Sequence, residues 1–381
     1  MSVAAGTNED YQRQLRDGSV QFTNKYFSQV VKEKPNKSVV VSAFSLLLPL
    51  AQLSLASVGE SHDELLNAMG LQNDNVTRDA VPAMFSLVKS VKGVDLKLAS
   101  KMYVALNSQL RQQFETDTRQ LFDSEIQKVD FAKQQETANA INTWVEEKTN
   151  QHIKDLVDAD SIDETSRAVL VNAIYFKGSW KNKFNKDYTS EQDFHVSKDK
   201  TIKVQMMYRH GDFKYAYSTE LDAELVEIPY EGDDVSFFIA LPRKVEGLSD
   251  LQRKIKENPA LLADAARGMH EINLDVHLPK FKIETETDLK EVLSKIGVTK
   301  IFDPAAARLD NLIEGDESLY VSKAVQKAYI EVNEEGAEAA AGNAFGIMLA
   351  SLPPQFDANR PFMFALKVKS GPVLFSGVFR G

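Results

Sequence analysis

Ser61, His62 and Asp63 stand side by side. Serine, histidine and aspartate are the nucleophile, base and orienting acid of acyl-transfer catalysis. Consecutive residues of a helix point about 100° apart, so three neighbours cannot line up to relay a proton. Ser61 with Glu64 fits a capping box at a helix start instead, and Leu65, Leu66 and Met69 follow as that helix's apolar face. The six histidines are His62, His152, His195, His210, His270 and His277, and none has a second histidine at helical ligand spacing. The absence of cysteine excludes disulfides and thiolate metal sites. There is no Walker loop, dinucleotide fingerprint, HExxH or GxSxG elbow. The sequence therefore leads to no expected cofactor or metal. An enzyme is poorly supported, since its site would have to be assembled from distant residues.

The chain has 381 residues, enough to bury a sizeable core. A length prior of roughly 100–200 residues per domain allows two or three domains. A hydrophobic fraction of 43% and a charged fraction of 26% are ordinary for a globular protein. The net charge of -10 argues against a general nucleic-acid binder, which needs a clustered basic surface. Two lysine groups, Lys181, Lys183, Lys186 and Lys198, Lys200, Lys203, read as solvated faces. No apolar run approaches the ~20 residues of a membrane span, so no membrane partner is expected. The start, Met1 to Gly6, lacks a charged n-region and an apolar h-region. Either the protein is cytoplasmic, or it is extracellular and the sequence begins near a mature N-terminus. Asn36-Lys-Ser38 and Asn75-Val-Thr77 fit the glycosylation sequon.

The elements that would position any site follow from the apolar pattern. The first ~165 residues read mainly as helices. Ala43 to Ala56 is too apolar for a surface helix and belongs in the core. Asn139 to Val157 is amphipathic, with Ile141, Trp144, Val145, Ile153 and Val157 near helical spacing. Val169 to Phe176 is a near-continuous apolar run, which suits a strand buried on both faces. Val204 to Tyr217, Leu225 to Pro229, Ser236 to Pro242, Ile272 to Ile283 and Phe362 to Phe379 read as further strands. Glu231-Gly-Asp-Asp234 is a hairpin turn, and Asp288 to Ile296 a short helix. Helices first and strands later, with no flexible linker, predict one α+β domain spanning residues 1–381.

One stretch fits none of these elements. Asn333 to Gly346 follows the strand-like run Tyr329-Ile-Glu-Val332 and is mostly alanine and glycine. A structureless loop of ~20 residues in a compact domain is usually functional or disordered. This one carries Phe345, Ile347, Met348 and Leu349, which a disordered linker would avoid. Read as a strand with the charged Glu338 facing water, its other face carries Ala337, Ala339, Ala341, Asn343, Phe345 and Ile347. That face is apolar apart from Asn343, and small residues at its start would slip between existing strands without a clash. The stretch is thus compatible with both a surface loop and a buried strand. Alanine also favours helix, and Gly336, Gly342 and Gly346 oppose it by roughly 1 kcal/mol each. Composition alone leaves loop, strand and helix open.

Glu334-Glu335-Gly336-Ala337-Glu338-Ala339-Ala340-Ala341-Gly342 resembles the hinge of the serpins, the serine protease inhibitors. Other serpin-like segments stand in the family's order. Ser42-Ala-Phe-Ser45 resembles the start of the helix beneath the shutter, and Asn172 to Trp180 the strand that ends at the breach tryptophan. Leu278-Pro-Lys-Phe281, Asp288-Leu-Lys290, Arg360-Pro-Phe362 and Phe375-Ser-Gly-Val-Phe379 are serpin-like too. The similarity covers essentially the whole chain and is greatest to insect haemolymph serpins.

The resemblance implies three β-sheets, about nine helices and an exposed reactive-centre loop over about 334–354. It implies a monomer whose partner is a serine protease, trapped as an acyl-enzyme when the cut loop inserts as a new central strand. Counted from Gly336 in the family's register, the cleaved bond is Ala350-Ser351, with Ile347, Met348, Leu349 and Leu352 contacting the protease. Alanine suits an elastase-like pocket, and Leu349 or Met348 a chymotrypsin-like one. No lysine or arginine occurs between Lys327 and Arg360, so trypsin finds no basic anchor. Gln326 stands where many serpins carry a histidine opposite Asn172, and Asn343 occupies an inward position that is usually threonine or apolar. The segment Thr77 to Gly93 carries only Arg78, Lys89 and Lys92, so glycosaminoglycan activation is not expected. The alternative is a non-inhibitory serpin acting as carrier, storage protein or chaperone. The small hinge residues Ala337, Ala339, Ala340 and Ala341 favour inhibition.

Overall fold

The computed structural model describes residues 8–315, 319–335 and 353–381. Among these residues there are nine α-helices: α1 (Asn8–Glu33), α2 (Ala43–Ala56), α3 (Gly59–Met69), α4 (Asp74–Lys89), α5 (Gln112–Phe122), α6 (Gln134–Lys148), α7 (Leu248–Glu257), α8 (Ala260–Arg267) and α9 (Leu289–Lys295). The strands are β1 (Val39–Val41), β2 (Val94–Ala105), β3 (Ile126–Val129), β4 (Ala168–Gly178), β5 (Ser190–Ser197), β6 (Lys200–Ser218) and β7 (Ala223–Pro229). They continue with β8 (Val235–Pro242), β9 (His270–Pro279), β10 (Phe281–Asp288), β11 (Val321–Val332), β12 (Gln355–Asp357), β13 (Phe362–Val368) and β14 (Val373–Phe379).

A five-stranded sheet runs in the order β10-β11-β4-β2-β3. Its centre is a parallel pair, β11 beside β4, flanked by antiparallel neighbours. The other nine strands form one hydrogen-bonded path, β1-β14-β13-β8-β7-β6-β9-β12 with β5 on β6. The long strand β6 joins its two halves, pairing β5 and β9 through its first part and β7 only through Lys214–Ser218. The third sheet implied by the resemblance is the half around β5, β9 and β12, continuous with the second through β6.

Apolar pattern and burial agree at the centre. All of α2 is buried, and β4 is buried from Ala168 to Phe176, as its unbroken apolar run predicts. Even-numbered β4 side chains such as Leu170 and Ile174 enter the main core with α2. Odd-numbered ones, Val169 to Tyr175, enter a second cluster with Ile141 and Val145 of α6. The sheet is therefore covered on both faces.

Several expectations are corrected. The first 165 residues are mainly helical, as expected, with α1 to α6, but they also hold the unforeseen β1, β2 and β3. Val94-Asp-Leu-Lys-Leu98 alternates with period two, a strand signal that the helical surroundings obscured. The run Ile272 to Ile283 is two strands in different sheets, divided after Pro279. Phe362 to Phe379 is a hairpin, turned by Ser370 at φ 56 and Gly371. The helix expected from Asn139 to Val157 runs from Gln134 to Lys148, and Ile153 and Val157 are buried beyond its end. Ser61 and Glu64 do not cap α3, which Val58 begins without a side-chain bond. Ser61 Oγ accepts from the Arg308 amide at 3.1 Å, and Glu64 accepts from the Thr299 and Lys300 amides. Long-range partners took both side chains from the local motif.

Candidate functional site

The site is the seam between β4 and β11, together with the point where β11 releases the chain. The two strands pair directly from Val321 and Ala168 to Glu331 and Lys177, with Gln326 opposite Asn172. No strand stands between them among the described residues.

On the face toward α2 the seam is tied by a buried amide network. Gln326, Asn172, Ser42 and Ser45 are all fully buried. Ser42 is the N-cap of α2, its Oγ accepting from the Ser45 amide at 3.1 Å. Ser45 Oγ lies 2.7 Å from Asn172 Oδ1, and Asn172 Nδ2 donates to the Ser45 carbonyl at 3.0 Å. Gln326 Nε2 reaches the Ser42 carbonyl at 2.8 Å and Asn172 Oδ1 at 2.8 Å. Gln326 Oε1 accepts from Tyr26 Oη at 2.9 Å and from the Ser42 amide at 3.3 Å. Glutamine thus uses both ends of its amide, donating toward β4 and accepting from α1 and the α2 cap. Burial pushes the Tyr26 phenol well above its ordinary pKa, so it stays a neutral donor. The serines, Asn172 and Gln326 named from the sequence all meet here. Tyr26 was missed, because a contact across 300 residues leaves no local signal.

The upper end of the seam is held differently. At Gly178 the chain crosses Tyr230 so closely that a Cβ there would stand 2.4 Å from its ring. Trp180 then stacks on Tyr230 with centroids 4.4 Å apart and planes 8° apart, and meets Phe184 and Phe237 edge-on. The Trp180 indole donates to the Asn333 carbonyl at 2.7 Å.

The next residue, Glu334, is only 3% exposed. Thr189 Oγ1 donates to its Oε1 at 2.8 Å, and Lys280 Nζ stands 3.0 Å from Oε2 as a charge contact outside hydrogen-bond alignment. Burial opposes ionisation of Glu334, but its own amide, Lys280 and Thr189 outweigh it and hold the carboxyl below its ordinary value. Glu335 is exposed and pairs with Lys186 at 2.6 Å. Thr189 and Tyr230 were not foreseen, whereas Lys280 stands in the Leu278-Pro-Lys-Phe281 motif and Asn333 opens the alanine- and glycine-rich stretch, neither with this role assigned.

Gly336, Ala337, Glu338, Ala339, Ala340, Ala341, Gly342 and Asn343 lie outside the described residues, as do Ile347 to Leu352 with the Ala350-Ser351 bond. Ser61, His62 and Asp63 form no relay: Ser61 bonds the Arg308 amide, while His62 Nε2 reaches Asp74 at 2.7 Å.

The described residues thus form an α+β fold whose five-stranded sheet has a central parallel pair tied over a buried polar network. The chain belongs to the serpin family: the family model for Serpin (serine protease inhibitor) matches residues 17–380. It is 55% identical over 378 residues to Alaserpin of Manduca sexta, covering 99% of this chain and 96% of that protein. Identity to Antichymotrypsin-2 of Bombyx mori is 51% over 369 residues, covering 96% and 97% of the two chains. The crystal structure of Serpin48, described as a highly specific serpin in the insect Tenebrio molitor, matches with TM-score 0.87 at 33% identity, covering 99% of this chain and 100% of that one.

Proposed function

We propose that the protein is an inhibitory serpin, a suicide substrate for extracellular serine proteases of elastase-like specificity. One observation carries this reading. The seam is closed with β4 and β11 in direct register, and the chain leaves β11 through a buried anchor at Glu334. A sheet in this form can still gain a strand, and the segment from Gly336 carries Ala337, Ala339 and Ala341 on the face turned from Glu338, small enough to enter it.

In this reading the protease serine oxygen bonds to the Ala350 carbonyl carbon. The Ala350-Ser351 amide breaks, and its nitrogen leaves as an amine carrying the proton. Release of the loop's C-terminal side frees the segment from Gly336 to Ala350 to enter between β4 and β11. The acylated protease is carried with it, and its active site is distorted before water can finish the reaction. The protein would act as a monomer, without glycosaminoglycan. The relative named Antichymotrypsin-2 is a reason to test the register at Leu349 or Met348 as well.

Incubation with pancreatic elastase, chymotrypsin and trypsin, read by denaturing gel and intact mass, tests this. The expected result is a denaturant-stable band at the summed mass with elastase and a released peptide starting at Ser351. Clean cleavage by all three without that band would replace inhibition with a carrier, storage or chaperone role. Tight trypsin inhibition would overturn the specificity assignment.

A further inference from the structure

The seam is clasped on its other face as well, by a contact outside the network around Gln326. Tyr175 and Tyr329 are directly opposite each other on β4 and β11. Their rings lie 5.3 Å apart at 30°. His152 lies over both, 4.1 Å from the Tyr175 ring at 6° and 5.7 Å from that of Tyr329. The histidine belongs to neither strand. It comes from the segment after α6, where Asn150 at φ 53 and Gln151 at φ 64 turn the chain back. The buried Thr149 fixes the turn: its carbonyl accepts from the His152 amide at 3.0 Å and its hydroxyl from the Ile153 amide at 3.2 Å. Ile153 is then fully buried, which pins His152 above the seam.

We propose that His152 is a positioning residue that sets the rate of strand insertion by clasping Tyr175 to Tyr329 across the β4–β11 seam. The inference rests on the insertion reading above. Neighbouring strands stand about 4.8 Å apart, and a strand entering between them doubles that spacing to about 9.6 Å. The Tyr175–Tyr329 contact cannot survive this, and one imidazole cannot stay stacked on both rings. The three-ring stack therefore belongs to the closed sheet alone. It also lies near the Glu334 end of the seam, where a segment beginning at Gly336 would enter first. Aromatic pairs contribute enough that losing the histidine's contacts accelerates opening about two- to tenfold.

The test uses the full chain as wild type, His152→Ala and His152→Phe. Each is followed by its spontaneous conversion to a heat-resistant, non-inhibitory form and by the thermal midpoints of the native and loop-cleaved forms. His152→Ala is expected to convert about two- to tenfold faster and to lose about 2 °C in the native form. The cleaved form should keep its midpoint, and His152→Phe should restore the wild-type rate. Equal destabilisation of both forms, or an unchanged conversion rate, overturns the clasp and leaves the inhibitory reading standing. A wild-type chain that gains no heat resistance on loop cleavage overturns the insertion reading itself, and the clasp with it.

Discussion

The Trp180 indole donates to the Asn333 carbonyl across 2.7 Å, and this bond ties the segment beyond β4 to the residue that follows β11. Asn333 also braces its neighbours, its side chain donating to Glu331 at 2.8 Å and accepting from the Glu335 amide at 2.9 Å. Beyond the last paired residues, the two chains are therefore tied by a directional bond on a stacked aromatic platform.

Trp180→Phe separates the two parts. Phenylalanine keeps a ring on Tyr230 and loses the donor. The native form should lose about 1 kcal/mol, the net worth of one hydrogen bond. Equilibrium unfolding followed by far-UV circular dichroism measures this, and the loop-cleaved form serves as the control.

Glu334 makes the anchor sensitive to acid. Its carboxyl titrates below the ordinary 4.5 in the folded chain, because Thr189, Lys280 and its own amide outweigh burial. A depressed acid contributes stability that is complete above its unfolded pKa and is lost as pH falls through the folded one. Glu334→Gln should therefore cost about 1–2 kcal/mol at neutral pH. The gap between variant and wild type should close as the pH falls from about 5 toward 3. Thermal midpoints across that range test it, and a gap independent of pH would remove Glu334 as the titrating group.

The amide network predicts the opposite behaviour. Gln326 does not titrate, and burial keeps Tyr26 neutral. Spontaneous conversion should show no pH step from this network between about pH 5 and 8, whereas Gln326→His should introduce one. Gln326→Ala leaves Asn172 Oδ1, the Ser42 amide and the Tyr26 hydroxyl short of a buried partner, and should cost about 2–4 kcal/mol. Chemical denaturation of the native form reads that cost.

Much of this site was legible in the sequence, and the reasons differ by residue. Asn172 lies within the apolar run that marks β4 as a central strand, but its role, like that of Trp180, was legible only through the serpin resemblance. Gln326 and Ser45 were legible only through the serpin resemblance, since nothing local says that α2 lies beneath β11. Thr189 left no signal and Lys280 stood in a serpin-like motif without a role, because Glu334 gathers them from two connecting segments far apart in the chain. His152 read as one scattered histidine, and two left-handed residues after α6 are what lay it across the seam. The false capping box at Ser61 and Glu64 failed for the same reason in reverse: backbone amides of Arg308, Thr299 and Lys300 outcompeted the local partners.

Ala339→Arg tests insertion most directly. In the strand reading Ala339 lies on the face turned from Glu338, so it would enter the sheet toward its core. An arginine there would have to be buried without a partner, which costs several kcal/mol. Insertion should slow enough for deacylation to win. The variant should be cut at the same bond by elastase, yield no denaturant-stable complex and gain no heat resistance. Association with the protease should be unchanged, since the substitution lies well before the scissile bond. A variant that traps elastase as well as wild type would show that this part of the loop does not enter the sheet.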